Sequence, residues 1–152
     1  MKALVREQYQ ALADKAHTLA PEMPRPREGW IRSVRKALGM SSPQLARRLD
    51  LSRSQVTQME RMEADDRITL KQLRRVADAL DCELVYALAP RQPVQQTLQK
   101  RAERLARALL GRAHTHMALE AQQLTPAQQE KEVAREATRL LNNLPRDFWE
   151  DT

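Results

Sequence analysis

Two sets of side chains in this sequence have the types and spacing to do chemistry. The first lies between Arg53 and Arg61. If that stretch is helical, Val56 and Met59 define its buried side, and at about 100° per residue the opposite side carries Ser54, Thr57, Gln58 and Arg61, flanked by Arg53 and Gln55. All six are hydrogen-bonding groups suited to base edges: Arg pairs with guanine and Gln with adenine, each worth about 1–3 kcal/mol of discrimination. A polar helix face is usually only a solvated one, but this face sits in a basic segment. Residues 29–63 hold seven Lys/Arg against three Asp/Glu, a local +4. The second set is His114, His116 and Glu120. His116 and Glu120 are one helical turn apart, but His114 lies about 200° round the helix from His116, so one chain cannot bring all three to a metal ion. Surface or interface histidines are the expected roles. Cys82 has no histidine near it in sequence and reads as a small buried residue. No nucleophile–base pair, metal set or phosphate loop is present, so no catalytic residue, metal or cofactor is expected.

These residues need elements to position them. Ser41-Ser42-Pro43-Gln44 has the form of a capping box, opening a short helix that buries Leu45, Ala46 and Leu49. Asp50 then occupies a tight turn, Leu51 points back to the core, and Ser52 caps a second short helix built on Val56 and Met59. Two helices of about eight residues joined by a three- to four-residue turn make a helix-turn-helix, with Ala46 small where the helices approach. Before it, Ile31, Val34 and Leu38 form one apolar stripe, flanked by Trp30 and Ala37, in a helix closed by Gly39. After it, Glu83 to Ala89 alternates Leu84, Tyr86 and Leu88 with Val85 and Ala87 and reads as one short strand. A lone strand leaves both edges unmet, and pairing with a second copy or with the N-terminal segment would meet them.

The flanks are also helical. Val5, Tyr9, Leu12, Ala16 and Leu19 step by four and three over a helix of about residues 3–19, which ends at Pro21-Glu22-Met23-Pro24-Arg25-Pro26. Beyond Pro90 and Pro93, Leu98, Ala102, Leu105, Leu109, Ala113, Met117 and Ala121 mark a long helix from Val94 to about Gln123. Thr125-Pro126 with Gln128 opens a last helix burying Val133, Ala137, Leu140 and Leu144 before Pro145. Phe148 and Trp149 follow, read first as a folded-back plug and otherwise as partner-binding anchors. The domains are thus residues 1–28 (helix and Pro-rich linker), 29–90 (helix-turn-helix domain) and 91–152 (a helical dimerisation or partner-binding extension).

Composition agrees. The 152 residues carry 26 Lys+Arg against 20 Asp+Glu, a formal +6, with a sequence pI near 10.0, which points to a polyanionic partner. Only 3% of residues are aromatic and three are glycine, against a sandwich, a barrel or a Gly-rich nucleotide fold. One cysteine allows no internal disulfide, fitting a reducing compartment. The longest apolar run, Leu84 to Ala89, is far short of the roughly 20 residues of a membrane span.

Residues Gly29 to about Leu88 resemble the Cro/C1-type (XRE) helix-turn-helix family, through Gln44-Leu45-Ala46-Arg47-Arg48-Leu49-Asp50-Leu51-Ser52-Arg53-Ser54-Gln55-Val56-Thr57-Gln58-Met59-Glu60. The resemblance implies a mainly α fold: a five-helix DNA-binding core with one short strand, its later helix built on Leu70, Leu73, Val76, Ala77 and Leu80, plus the N-terminal helix and the C-terminal extension. Two departures stand out. The family's turn glycine is Asp50, which tolerates the left-handed conformation. Its glycine soon after the equivalent of Glu60 is missing in Arg61-Met62-Glu63, so the recognition helix should run on for another turn. With that helix entering the major groove N-terminus first, Arg53, Ser54 and Gln58, then Thr57 and Gln55, are the base-readers, and Ser42, Gln44, Ser52 and Arg61 the phosphate contacts.

Gly29-Trp30-Ile31-Arg32, Ile68-Thr69-Leu70-Lys71-Gln72-Leu73, Ala79 to Leu88 and His116 to Gln122 are, further, similar to the family called mobile mystery protein A. That resemblance implies a neighbouring Fic-domain protein, the two forming an antitoxin and a toxin. Fic enzymes are held inactive in several systems by Ser/Thr-x-x-x-Glu-Gly/Asn; here Thr18 to Glu22 is followed by Met23, an incomplete match, so inhibition would use another surface. The expectation is a cytoplasmic, nucleoid-associated repressor, a homodimer on a double-stranded operator, with no membrane segment. Its rivals are a protein-partner inhibitor with secondary DNA binding, or a stand-alone regulator of a mobile element.

Overall fold

The computed structural model describes the backbone of residues 3–119 and 124–151, and the side chains of these residues except 114 and 116–119. Among the described residues the regular elements are helices: α1 (Ala3–Leu19, followed by a 3₁₀ turn at Ala20–Glu22), α2 (Trp30–Ala37), α3 (Ser42–Leu49), α4 (Arg53–Ala64), α5 (Leu70–Ala79), α6 (Val94–Leu119) and α7 (Pro126–Asn142). The chain forms two compact units. Residues 19–88 make one, and the chain through Thr18 together with that from Ala89 onward makes the other.

Local chemistry sets the helix starts. Ser41 with Gln44, Ser52 with Gln55, Thr69 with Gln72 and Thr125 with Gln128 each form a reciprocal capping box, satisfying two amides that a helix N-terminus otherwise leaves open. The helix ends share one device. Gly39, Asp50, Asp66 and Asp81 take positive φ, and after each the next amide bonds back across the turn: Met40 to the Arg35 carbonyl, Leu51 to Ala46, Arg67 to Met62 and Cys82 to Ala77. These are Schellman stops, three of them built on aspartate in place of the usual glycine. The extra turn expected of the recognition helix is present, α4 being 12 residues long.

In the unit of residues 19–88, Ile31, Leu45, Ala46, Leu49, Val56, Met59, Val76 and Leu80 form one buried cluster, with Val34, Met40, Leu51, Ile68 and Leu73 packed on it. In the other unit, α6 and α7 bury Leu98, Ala102, Ala106, Val133, Ala137, Leu140 and Phe148. Arg107 meets Glu130 while Arg101, earlier on α6, bonds the carbonyls of Phe148 (2.7 Å) and Glu150 (2.6 Å), so the two helices run antiparallel. The Arg107 guanidinium holds the Glu130 carboxyl below the usual carboxylate range, chiefly by hydrogen bonding. Asp14 of α1 accepts from the Val94 amide at 2.8 Å, capping α6 from outside it, and Arg6 reaches the Leu141 carbonyl.

Several expectations are corrected. Residues 83–89 form no strand: their backbone finds no ladder partner among the described residues, and a strand exists only through its ladder. Cys82 is exposed, because the left-handed turn at Asp81 carries it out of the core. Leu38 and Leu70 lie exposed at helix ends, beyond the reach of the cluster. On α6 the buried stripe shifts to Ala106 and Leu110 while Leu109 is exposed, since a 3.6-residue helix drifts from a strict seven-residue spacing. The apolar stripe of α1 is largely exposed, its half-buried side being that of Arg6, Gln10, Ala13, Asp14 and His17. Glu120 and Ala121, and the side chains of His114, His116 and Met117, lie outside what the structure describes.

Two stability measurements check this architecture. Asp81→Gly relieves left-handed strain without removing a side-chain hydrogen bond and should raise unfolding free energy by about 0.5–1 kcal/mol, whereas Asp81→Val should lower it. Phe148→Ala should cost about 3–5 kcal/mol in urea denaturation, since its ring is only 1% exposed. A loss below about 1 kcal/mol would mean that the C-terminal plug contributes little to the core.

Candidate nucleic-acid interface

The two faces of α4 do different work. Inward, Val56 and Met59 join the core, and the same stripe continues into two buried carboxylates, Glu60 and Glu63. Glu60 takes a forked pair from Arg35 of α2, with Nε to Oε1 at 2.5 Å and Nη2 to Oε2 at 3.2 Å; Arg35 also donates from Nη1 to the Met40 carbonyl at 2.9 Å. Glu63 caps α2 from a distance in sequence: its Oε1 and Oε2 accept the amides of Trp30 (2.7 Å) and Ile31 (2.8 Å). Gly29, the residue before α2, offers no side-chain cap of its own and sits at φ +84°. A Cβ there would stand 2.7 Å from Glu63 Oε2, so the carboxylate approaches only because Gly29 is bare. Arg25, from the proline-rich linker, donates to the Glu63 carbonyl and to Asp66, tying down the far end of α4.

Outward, Arg53, Ser54, Gln55, Thr57, Gln58 and Arg61 are all exposed. Arg53, Ser54, Thr57, Gln58 and Arg61 line an open concavity with Arg67, a residue the sequence reading did not single out. Arg67 comes from the turn after α4, delivered by the left-handed Asp66, and donates to Asp65 at 3.2 Å. The signal for it in the sequence is the missing glycine after Glu60: a longer α4 carries the following turn along the same face. Gln55 and Gln44 differ from the rest of the set, because their Oε1 atoms accept the amides of Ser52 (2.8 Å) and Ser41 (2.7 Å) in the capping boxes. Ser52 Oγ accepts from the Gln55 amide at 3.2 Å and lies 3.0 Å from Ser54 Oγ, and Ser42 is half-buried in the first turn of α3. Gln44, Ser52 and Gln55 thus shape helix ends, whereas Arg53, Ser54, Gln58 and Arg61 stand exposed along α4.

The charge of residues 29–63 is likewise redistributed. Arg35 is consumed inside, Arg48 donates to the Ala79 carbonyl at 3.0 Å, and Arg32 and Lys36 share Glu28. Hydrogen bonding from Lys36, with the Arg32 charge adding, holds the Glu28 carboxyl below its usual range. Of the seven cations in residues 29–63, Arg47, Arg48, Arg53 and Arg61 have no carboxylate partner among the described residues, and Arg53 and Arg61 stand on the outer face of α4.

An exposed row of donors with unpaired guanidinium groups, on a helix set behind a tight turn and a capped shorter helix, is the arrangement that reads a DNA groove. Residues 31–86 match the helix-turn-helix family. The matched helix-turn-helix domain is of a DNA-binding regulatory kind and not of an enzyme family, and it supports the Cro/C1 resemblance. No curated protein and no solved structure matches the chain at a significant level. No helix among the described residues is long and apolar enough to cross a membrane. As for the terminal aromatics, Phe148 is buried within its own unit and so unavailable as a surface anchor, while Trp149 is exposed, edge-on to Phe148 at 5.1 Å.

The inner face of α4 has its own test. Glu60→Ala strands the Arg35 guanidinium in the core and should cost about 3–5 kcal/mol, but Arg35→Met with Glu60→Met should recover most of that loss, because a packed apolar pair needs no desolvated charge. Chemical denaturation of the single and double variants distinguishes a paired buried charge from a merely crowded site.

Proposed function

We propose that this protein is a sequence-specific DNA-binding transcriptional repressor that acts as a homodimer on a double-stranded operator and performs no covalent chemistry. The carrying observation is the outer face of α4, where Arg53, Ser54, Thr57, Gln58 and Arg61 are exposed while the inner face is locked to α2 by Glu60 and Glu63. Arg53, Ser54 and Gln58, with Thr57 and Gln55 behind them, read bases; Ser42, Gln44, Ser52 and Arg61 hold phosphates, and Arg67 widens that set. Repression is then steric, a bound dimer excluding polymerase. Such a protein works in the cytoplasm, on the nucleoid.

A second role, antitoxin to a Fic-type toxin encoded beside it, is supported by the phrases shared with the mobile mystery protein A family. The exposed Trp149 and the outward apolar stripe of α1, with Leu4, Tyr9 and Leu12 in solvent, are surfaces that a protein partner would cover. On this reading the helix-turn-helix domain is residues 29–90, and the segments 1–28 and 91–152 serve assembly and the partner.

The test begins with selection of a preferred duplex from random DNA. Arg53→Ala and Gln58→Ala should each weaken binding to that duplex by about 5- to 150-fold and relax preference at one base position per half-site. Arg61→Ala should weaken binding to all sequences alike and flatten the salt dependence by about one phosphate contact. None should shift the melting temperature, because all three side chains are exposed. Equal losses on selected and random duplexes for Arg53→Ala and Gln58→Ala would refute the base-reading assignment.

A further inference from the structure

The helix-turn-helix unit does not hold all of the chain's unpaired positive charge. On α6, at about 100° per residue, Lys100, Arg104, Arg107 and Arg112 fall within one sector about 140° wide, and all four are exposed. The carboxylate that α6 carries between residues 94 and 115, Glu103, lies outside that sector and accepts from Gln99. Arg107 has a partner in Glu130 of α7. Lys100 donates only to the neutral Gln92, and Arg104 and Arg112 have no partner among the described residues. Carboxylates are not scarce nearby, since residues 126–152 carry six, so the gap on α6 is one of placement. Between the cations the side chains are short: Ala108, Gly111 and Thr115, again exposed. Gly111 has no packing reason to be bare. Nothing lies within 4 Å of where its Cβ would stand, and glycine lowers the stability of a helix interior relative to alanine.

We propose that this face of α6 is a second DNA-binding surface, one that holds the phosphate backbone of a duplex without reading its sequence. It rests on the DNA-binding reading of the chain and adds a contact outside residues 31–86, the part that matches the helix-turn-helix family. The chemistry of the face selects the occupant. Lysine, arginine and a hydroxyl are the groups that meet phosphate oxygens, and a cation not already paired releases the counterions of the backbone when it binds. From Lys100 to Arg112 the helix rises about 18 Å at 1.5 Å per residue, the axial length of about five base pairs. A bare Gly111 among the cations lets a backbone come close to the helix axis. What the face lacks is equally specific. A protein interface centres on buried aromatic or apolar anchors, and a helix lying on a membrane needs an apolar face to insert. No large apolar side chain stands in this sector; the exposed Leu109 lies about 180° round the helix from Lys100.

The experiment titrates the full chain with a random-sequence duplex at several salt concentrations. Lys100→Gln, Arg104→Gln and Arg112→Gln together remove three phosphate contacts and should lower the slope of log affinity against log salt by about 2.7. Raising salt from about 50 to 200 mM should then cost the parent about 40-fold more affinity than the triple variant. The circular dichroism melt should stay where it was. Gly111→Leu should raise the melting temperature, because the helix gains a better former, and yet lose affinity for the same duplex. A second background separates this face from α4: with Arg53→Ala, Gln58→Ala and Arg61→Ala in place, the three glutamine substitutions should remove the same increment of slope. That increment persists even if α4 does not meet DNA. An unchanged slope in the triple variant overturns the proposal, as does full affinity in Gly111→Leu. Binding to phosphatidylserine vesicles that is tighter than to the duplex, and lost with the same three substitutions, overturns it in favour of lipid headgroups.

Discussion

The orientation of α4 depends on two carboxylates, Glu60 and Glu63, on one turn of its hidden side. Val56 and Met59 supply burial but little direction, because apolar contact is indifferent to a few degrees of helix rotation. A forked Arg35–Glu60 pair and a carboxylate seated on two amides of α2 are directional, and both fail if α4 turns about its axis. A buried ion pair is a poor source of net stability, since desolvation offsets most of its attraction. Its value here is geometric: α2 and α4 are held in one relation, and the six exposed polar side chains face one way.

That arrangement also explains where the positive charge goes. A local excess of +4 in the sequence is not a uniform basic surface. Arg35 faces inward and Arg48 bonds the Ala79 carbonyl at the end of α5. Arg32 and Lys36 are drawn to Glu28. The guanidinium groups remaining on α4, Arg53 and Arg61, stand on either side of Gln58, so charge and exposed hydrogen-bonding groups are concentrated on one strip.

The second unit is built on different terms. Its core is a helix pair sealed by Phe148, with the tail clamped by Arg101 through two carbonyls, and α1 is attached by polar ties at Arg6, Asp14 and His17. An amphipathic helix secured by its polar side leaves its apolar side available, the opposite of a helix recruited only to cover a core.

Local rules were legible in the sequence. The capping boxes at Ser41 and Thr125, the cap at Ser52, the left-handed turn at Asp50, the stripe of Val133, Ala137 and Leu140 and the outward set on α4 all depend on residues within one or two turns of each other, so spacing alone determines them. What only tertiary structure decided involves partners distant in the chain. Glu63 meets Trp30 and Ile31 across more than thirty residues, Asp14 meets Val94 across eighty, and Arg6 reaches Leu141 across 135. The same holds for what failed to form: residues 83–89 alternate as a strand does, but a strand needs a second edge, and whether one arrives is a property of the assembled molecule and not of the segment.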